Sequence, residues 1–139
     1  IKQFFNHLKG NFMANKFRIF TSFAIEDANL RTMLVGQGRN KKTPFEFVDM
    51  SVKEPWDNAW KTNCRTKIKG CDGVIGIITN NSSKATGQLW ELQCAYDEGI
   101  PVLLIYGNAD RPSNLPDPVK GRRINLWTWD NISAFLDKL

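Results

Sequence analysis

Histidine is almost missing from this chain. The one copy, His7, stands in an atypical N-terminal stretch. A histidine-based catalytic triad and a multi-histidine metal centre therefore have no material to be built from. Cysteine is scarce as well. Cys64, Cys71 and Cys94 are odd in number, lack metal-ligand spacing, and each sits in or beside an apolar segment. They read as buried thiols of a reducing cytoplasm rather than as disulfide partners. No apolar run is long enough to cross a membrane. Nothing resembles a nucleic-acid-binding module. The expectation is a cytoplasmic protein with neither membrane nor nucleic acid among its partners.

The N-terminal stretch, Ile1 to Phe12, is basic and partly apolar. It lacks the apolar centre and the small-residue cleavage site of a secretory signal. Met13, followed by Ala14-Asn15-Lys16, reads as a natural start. Residues 1–15 are thus expected to be an N-terminal extension (a leader, an expression remnant or an extra helix) before a domain over 16–139.

What the chain does contain is ordinary for one globular domain: 139 residues, 42% hydrophobic and 24% charged, enough to build a core. The net charge of +5 is scattered. Short clusters at Arg39-Asn40-Lys41-Lys42 and Lys120-Gly121-Arg122-Arg123 read as solvated loops, able to attract an anionic ligand such as a dinucleotide. Five tryptophans spread along the chain read as packing and pocket residues.

The periodicity predicts alternating strands and helices. Phe17 to Ser22 is a first strand. Phe23 to Asp27 turns into a helix that Asp27 can cap, with Leu30, Met33 and Leu34 inward. Phe45 to Val48 is a short strand ending at Asp49. Trp56, Trp60, Cys64 and Ile68 recur every fourth residue as a helix stripe closed by Gly70. Val74 to Thr79 is a buried central strand. The polar loop Asn80-Asn81-Ser82-Ser83 offers caps for a helix starting at Gly87, with Leu89, Leu92, Ala95 and Tyr96 on one face and Glu91 on the flank. Gly99 stops that helix, and Val102 to Tyr106 is a doubly covered strand. Gly107 to Arg123 is a long proline-bearing loop. Ile124 to Trp127 is a last strand, and Asp130 can cap a final helix with Ile132, Phe135, Leu136 and Leu139 inward.

This alternation implies an α/β fold with a five-stranded parallel sheet in order 2-1-3-4-5 and helices on both faces. The switch point then lies between strands one and three, so the loops after Ser22 and Thr79 border the ligand crevice. Ser22, Phe23, Asp27, Asp49, Trp56, Asn80, Trp90 and Glu91 are expected to converge there. Each also has a plain structural reading: Ser22 and Asp49 as turn residues, Asp27 as a cap, Phe23, Trp56 and Trp60 as core, the Asn80 loop as a capping loop, and Glu91 as a solvated or ion-paired acid. As chemistry, an exposed carboxylate among aromatics and amides fits neither a protease nor a metal site. It fits a sugar C1 centre, where cleaving an N-glycosidic bond develops oxocarbenium charge that a carboxylate can stabilise or attack. The positive end of the helix favours the ionised form, and the amides of Asn80 to Ser83 can hold phosphate.

Phe20-Thr21-Ser22-Phe23 with Glu26-Asp27 resembles the first-strand motif of TIR domains. Trp90-Glu91-Leu92 resembles the tryptophan-and-glutamate helix motif that carries the TIR catalytic acid. With Asp49, Trp56, Trp60, Ile68 and the Val74–Thr79 strand, the pattern looks most like the TIR-like branch of the bacterial Thoeris anti-phage system. The resemblance spans about Lys16 to Leu139. In animal TIR domains a Cys follows the tryptophan of the motif; here Glu91 follows directly. The resemblance implies a flavodoxin-like TIR three-layer sandwich and an NAD-consuming enzyme with no metal and no cofactor beyond NAD as substrate. It implies catalysis by Glu91 and a nicotinamide pocket shaped by Phe23. It further implies a cyclic ADP-ribose-type product that activates a partner effector protein, and activity released by self-association or a phage-derived activator.

Glu91-Leu92-Gln93-Cys94-Ala95 and Gly99-Ile100-Pro101-Val102 are also similar to the nucleophile segment and turn of nucleoside 2-deoxyribosyltransferases. Gln93 stands for that family's glycine and Ile100 for its lysine. A non-catalytic TIR-like interaction module is the third reading. A phospho-receiver is rejected because the third strand ends Ile78-Thr79-Asn80 without an acceptor Asp.

Overall fold

The structure, a computed structural model, describes residues 17–43, 45–50 and 55–139. The expected extension over 1–15 lies outside the described residues. Four strands, β1 (Phe17–Ser22), β2 (Phe45–Val48), β3 (Gly73–Ile78) and β4 (Val102–Tyr106), alternate with four helices, α1 (Ala28–Asn40), α2 (Asn58–Lys69), α3 (Thr86–Asp97) and α4 (Trp129–Asp137). All pairings are parallel, in order β2-β1-β3-β4. No helix among the described residues is long and apolar enough to cross a membrane.

The fifth strand is a correction. Residues Ile124 to Trp127 shrink to one parallel bridge, Ile105 to Asn125, beside β4. Tyr106 N–H donates to the Asn125 carbonyl and Asn125 N–H to the Leu104 carbonyl. The next carbonyl, Leu126, is taken by Thr128 N–H and the Asn131 side-chain amide instead. The chain therefore turns into α4 before a ladder can extend. The long loop ahead of it is anchored, since Val119 is fully buried in the core beneath α2 and α3.

The sheet separates two cores. Phe20, Val74, Ile78 and Leu104 meet Trp60, Cys64, Ile68, Leu92 and Ala95 on one face. Ile19, Ile75, Ile77 and Ile105 meet Leu34, Ile132 and Leu136 on the other. The three cysteines are buried. Burial pushes the Cys71 thiol up to about 11 and raises Cys94 as well, so neither supplies a thiolate nucleophile at neutral pH.

Several caps differ from expectation. Asp57 caps α2, accepting from Ala59 and Trp60 N–H. Thr128, not Asp130, caps α4. Neither Asp27 nor the Asn80–Ser83 loop gives a side-chain cap to α1 or α3. Met33 faces outward at 60% exposure, leaving Leu34, with Gly38 a turn later, as the buried residues of α1.

One close approach sets the position of α3. A Cβ at Gly76 would lie 2.9 Å from Leu104 Cδ2 and 3.0 Å from Leu92 Cδ2. The missing side chain lets Leu92 press α3 against β3. Gly76→Ala forces Leu92 and Leu104 apart, and urea unfolding should show a loss of about 1–3 kcal/mol.

Candidate active site

Ser22 ends β1, and its register partner on β3 is Gly76. Both face α3 because Phe20, two residues before Ser22, and Val74, two before Gly76, pack in the α2/α3 core. With no Cβ at Gly76, the helix comes close enough for direct polar contact. The Ser22 hydroxyl donates to Glu91 Oε1 at 2.8 Å. It also lies 3.4 Å from the Gln88 carbonyl. Glu91 is fully buried, not the exposed flank acid that the sequence pattern suggests. The helix buries Gln88, Glu91, Leu92 and Ala95 together. These are positions i, i+3, i+4 and i+7, one complete helical face, half of it polar.

Gln88 is a buried residue of this cluster that apolar periodicity misses. Its amide donates to the carbonyl of Ser22 at 3.1 Å and of Ile77 at 2.7 Å. It thereby ties the carboxyl ends of β1 and β3 together where the ladder stops. Its Oε1 is buried without a hydrogen-bond partner.

A second cluster closes the crevice from above. The buried carboxylate of Asp27 accepts from Thr79 Oγ1 at 2.5 Å and from Asn81 Nδ2 at 2.8 Å. Asn81 N–H donates in turn to Thr79 Oγ1, and Ser82 Oγ accepts from Thr79 N–H. Asp27 thus joins the loop after β1 to the loop after β3. Asn81, not the exposed Asn80, makes this contact.

Phe23 is buried in the core opposite Glu91, beneath α1 and α4. The Arg31 guanidinium lies 5.7 Å from its ring centre and Arg31 Nε lies 3.5 Å from Asp49 Oδ2. Arg31 therefore links two expected site residues, Phe23 and Asp49. Trp90 packs edge-on against Trp60, with ring centres 5.5 Å apart, and under the guanidinium of Arg65 at 5.3 Å, on the α2–α3 seam. Arg65 is itself paired with Glu98. Trp56 is 71% exposed. The expected residues thus fall into separate groups, of which Ser22 with Glu91, and Asp27 above them, occupy the switch point.

The hollow at that point is small, about 120 Å³, between Ile25-Glu26 and the residues Lys84 to Gln88. A larger one, about 380 Å³, lies between α1 and β2 and is bordered by Arg31 and Asp49, away from the Ser22–Glu91 pair. The smaller hollow shares Gln88 with the Ser22–Glu91 cluster but is not lined by Ser22 or Glu91 themselves.

No family model matches the chain. No curated protein matches it either. Among solved structures, it is similar to the TIR domain of a Toll-related receptor from the lower metazoan Hydra magnipapillata, at 17% identity and a TM-score of 0.59. That match covers 86% of this chain and 92% of that one. It is also similar to a 2-deoxyribosyltransferase from the psychrotolerant bacterium Bacillus psychrosaccharolyticus, at 19% identity and a TM-score of 0.58, over 83% of this chain and 89% of that one. The chain therefore has a parallel α/β fold of the kind shared by TIR domains and nucleoside deoxyribosyltransferases.

Proposed function

We propose that this chain is a TIR-like enzyme that cleaves the nicotinamide–ribose N-glycosidic bond of NAD. Its setting is anti-phage defence of the Thoeris type, and its product a cyclic ADP-ribose-type signal for a partner effector. The observation that carries the reading is the Glu91 carboxylate, aimed by the Ser22 hydroxyl at the carboxyl ends of β1 and β3, where open parallel sheets bind ligands. As the C1–N bond breaks, nicotinamide leaves with the bonding electrons and the ribosyl carbon becomes cationic. A fixed carboxylate beside that carbon stabilises the charge without reorganising. Water or an adenine nitrogen then takes the ribosyl carbon, giving a linear or a cyclic product.

A fully buried Glu91 and a small hollow at the strand ends fit a resting form, in which Asp27 joins the two loops bordering the switch point. Activation by self-association or a phage-derived partner would part these loops and admit the dinucleotide.

The second reading, base exchange on deoxynucleosides, is favoured by the fold likeness to the deoxyribosyltransferase and uses the same carboxylate. Incubation of the protein with NAD, and separately with deoxynucleosides and a free base, distinguishes the two. Both are run with and without infected-cell lysate and read by chromatography. Nicotinamide release supports the first reading and base exchange the second. Inertness toward both, with self-association or binding to another TIR surface, leaves the interaction-module reading. Where NAD is consumed, Ser22→Ala is expected to lower kcat roughly tenfold with KM little changed, because it removes the hydroxyl that aims the carboxylate but keeps the carboxylate itself.

A further inference from the structure

We propose that Gln88 is the positioning residue of this site: its side-chain amide holds the end of β1 so that the Ser22 hydroxyl meets Glu91. The proposal rests on the catalytic reading of Glu91 for its functional consequence, but its structural half stands alone. Both Gln88 Nε2 protons are spent on main-chain carbonyls, those of Ser22 and Ile77. One belongs to the residue whose hydroxyl aims the carboxylate. The other lies on the neighbouring strand, one residue past the last β1–β3 register pair. Beyond that pair the two strands have no ladder bond to keep them together, and Gln88 supplies the crosslink from α3. Glu91 stands three residues along the same buried face, so one rigid helix carries both the clamp and the acid.

The orphaned Oε1 supports a functional origin. The amide cannot be flipped to satisfy it, because Oε1 would then face two carbonyl oxygens. A buried acceptor without a partner is a cost that a purely structural position sheds by taking an apolar side chain. Gln88→Met fits the same volume and removes the orphan together with the two donated bonds, so it shows whether the position of β1 depends on them.

The test is the Gln88→Met protein, examined by crystallography and thermal unfolding, and in the NAD and deoxynucleoside assays. The expected result is a folded protein with a lowered melting temperature, since two buried main-chain carbonyls lose a donor. The Ser22 Oγ to Glu91 Oε1 separation should open beyond hydrogen-bonding distance, and kcat should fall at least tenfold with KM within about twofold. Gln88→Glu, which presents one carboxylate oxygen to the two carbonyls, should not restore the contact. A Gln88→Met structure that keeps the 2.8 Å contact overturns the proposal whatever the activity. A retained contact also separates this failure from that of the catalytic reading, which is shown by an unsubstituted protein inert toward both substrates. In that event an opened Ser22–Glu91 contact still establishes the clamp. Should Gln88→Met not fold, Gln88→Asn, one methylene shorter with the same amide, gives the same crystallographic readout.

Discussion

Replacing Glu91 with glutamine should reduce nicotinamide release from NAD on the order of 10²–10³-fold, the largest effect expected of any single substitution here. The two side chains are nearly equal in shape, and Oε1 remains in place to accept from Ser22. What is lost is the negative charge. A loss of activity with intact packing therefore isolates electrostatic stabilisation of the ribosyl cation from any role in the fold. Stability reports separately, because a fully buried carboxylate sets a desolvation cost, which the neutral amide does not carry, against the contacts its charge makes. The paired measurement is nicotinamide release together with the melting temperature of Glu91→Gln. Collapsed activity with unchanged or raised stability marks a group kept for chemistry. Equal turnover by both proteins removes Glu91 from the mechanism. Falling activity together with falling stability makes Glu91 a structural acid whose loss disorders α3.

The residues that made the fold legible are those whose local pattern and tertiary role agree. Phe17 to Ser22 alternates, and it is the strand β1 to the residue. The apolar runs at Val74 and Val102 are β3 and its parallel neighbour β4, paired with Gly76 opposite Leu104. Where the structure departs from the local pattern, a side chain has a stronger partner elsewhere in the chain. Asp27 is a good helix cap by type and position, yet Thr79 and Asn81 claim its carboxylate across the switch point. Asn125 starts a fifth strand, but Thr128 and Asn131 take the Leu126 carbonyl first.

The site was harder to read for a related reason. Apolar periodicity in α3 points to Leu89, Leu92 and Tyr96, although Leu89 and Tyr96 are only partly buried and the fully buried face carries Gln88 and Glu91. A polar pair on a buried face disappears from a hydrophobicity pattern. The signal that could have exposed it is the i, i+3, i+4, i+7 spacing of Gln88, Glu91, Leu92 and Ala95. Phe23 shows the opposite error. Its place directly after Ser22 puts it near the crevice in sequence, but strand alternation sends its side chain to the other core.

Asp27→Ala should be the most destabilising of the polar substitutions, by about 2–4 kcal/mol in urea unfolding, with a fall in melting temperature of roughly 10 °C. Two hydrogen bonds to an ionised acceptor are lost at once. The Thr79 hydroxyl, itself buried, is left with its donor unpaired. Asn81 is exposed and can turn to water, so most of the loss falls on the Thr79 side. Asp27→Asn keeps one acceptor oxygen but points its amide at a donor, so its stability should lie between Asp27→Ala and the unsubstituted protein. The loop from Thr79 to Lys84 leads directly into α3, so loosening it also loosens the helix that carries Gln88 and Glu91. Opening of this junction should therefore appear in amide hydrogen exchange at Asn81 and Ser82 before the strands exchange. If activation works by parting these loops, Asp27→Ala should also raise basal NAD cleavage in the absence of infected-cell lysate. A variant less stable and less active in every condition would instead show that the Asp27 junction shapes the working site rather than restraining it.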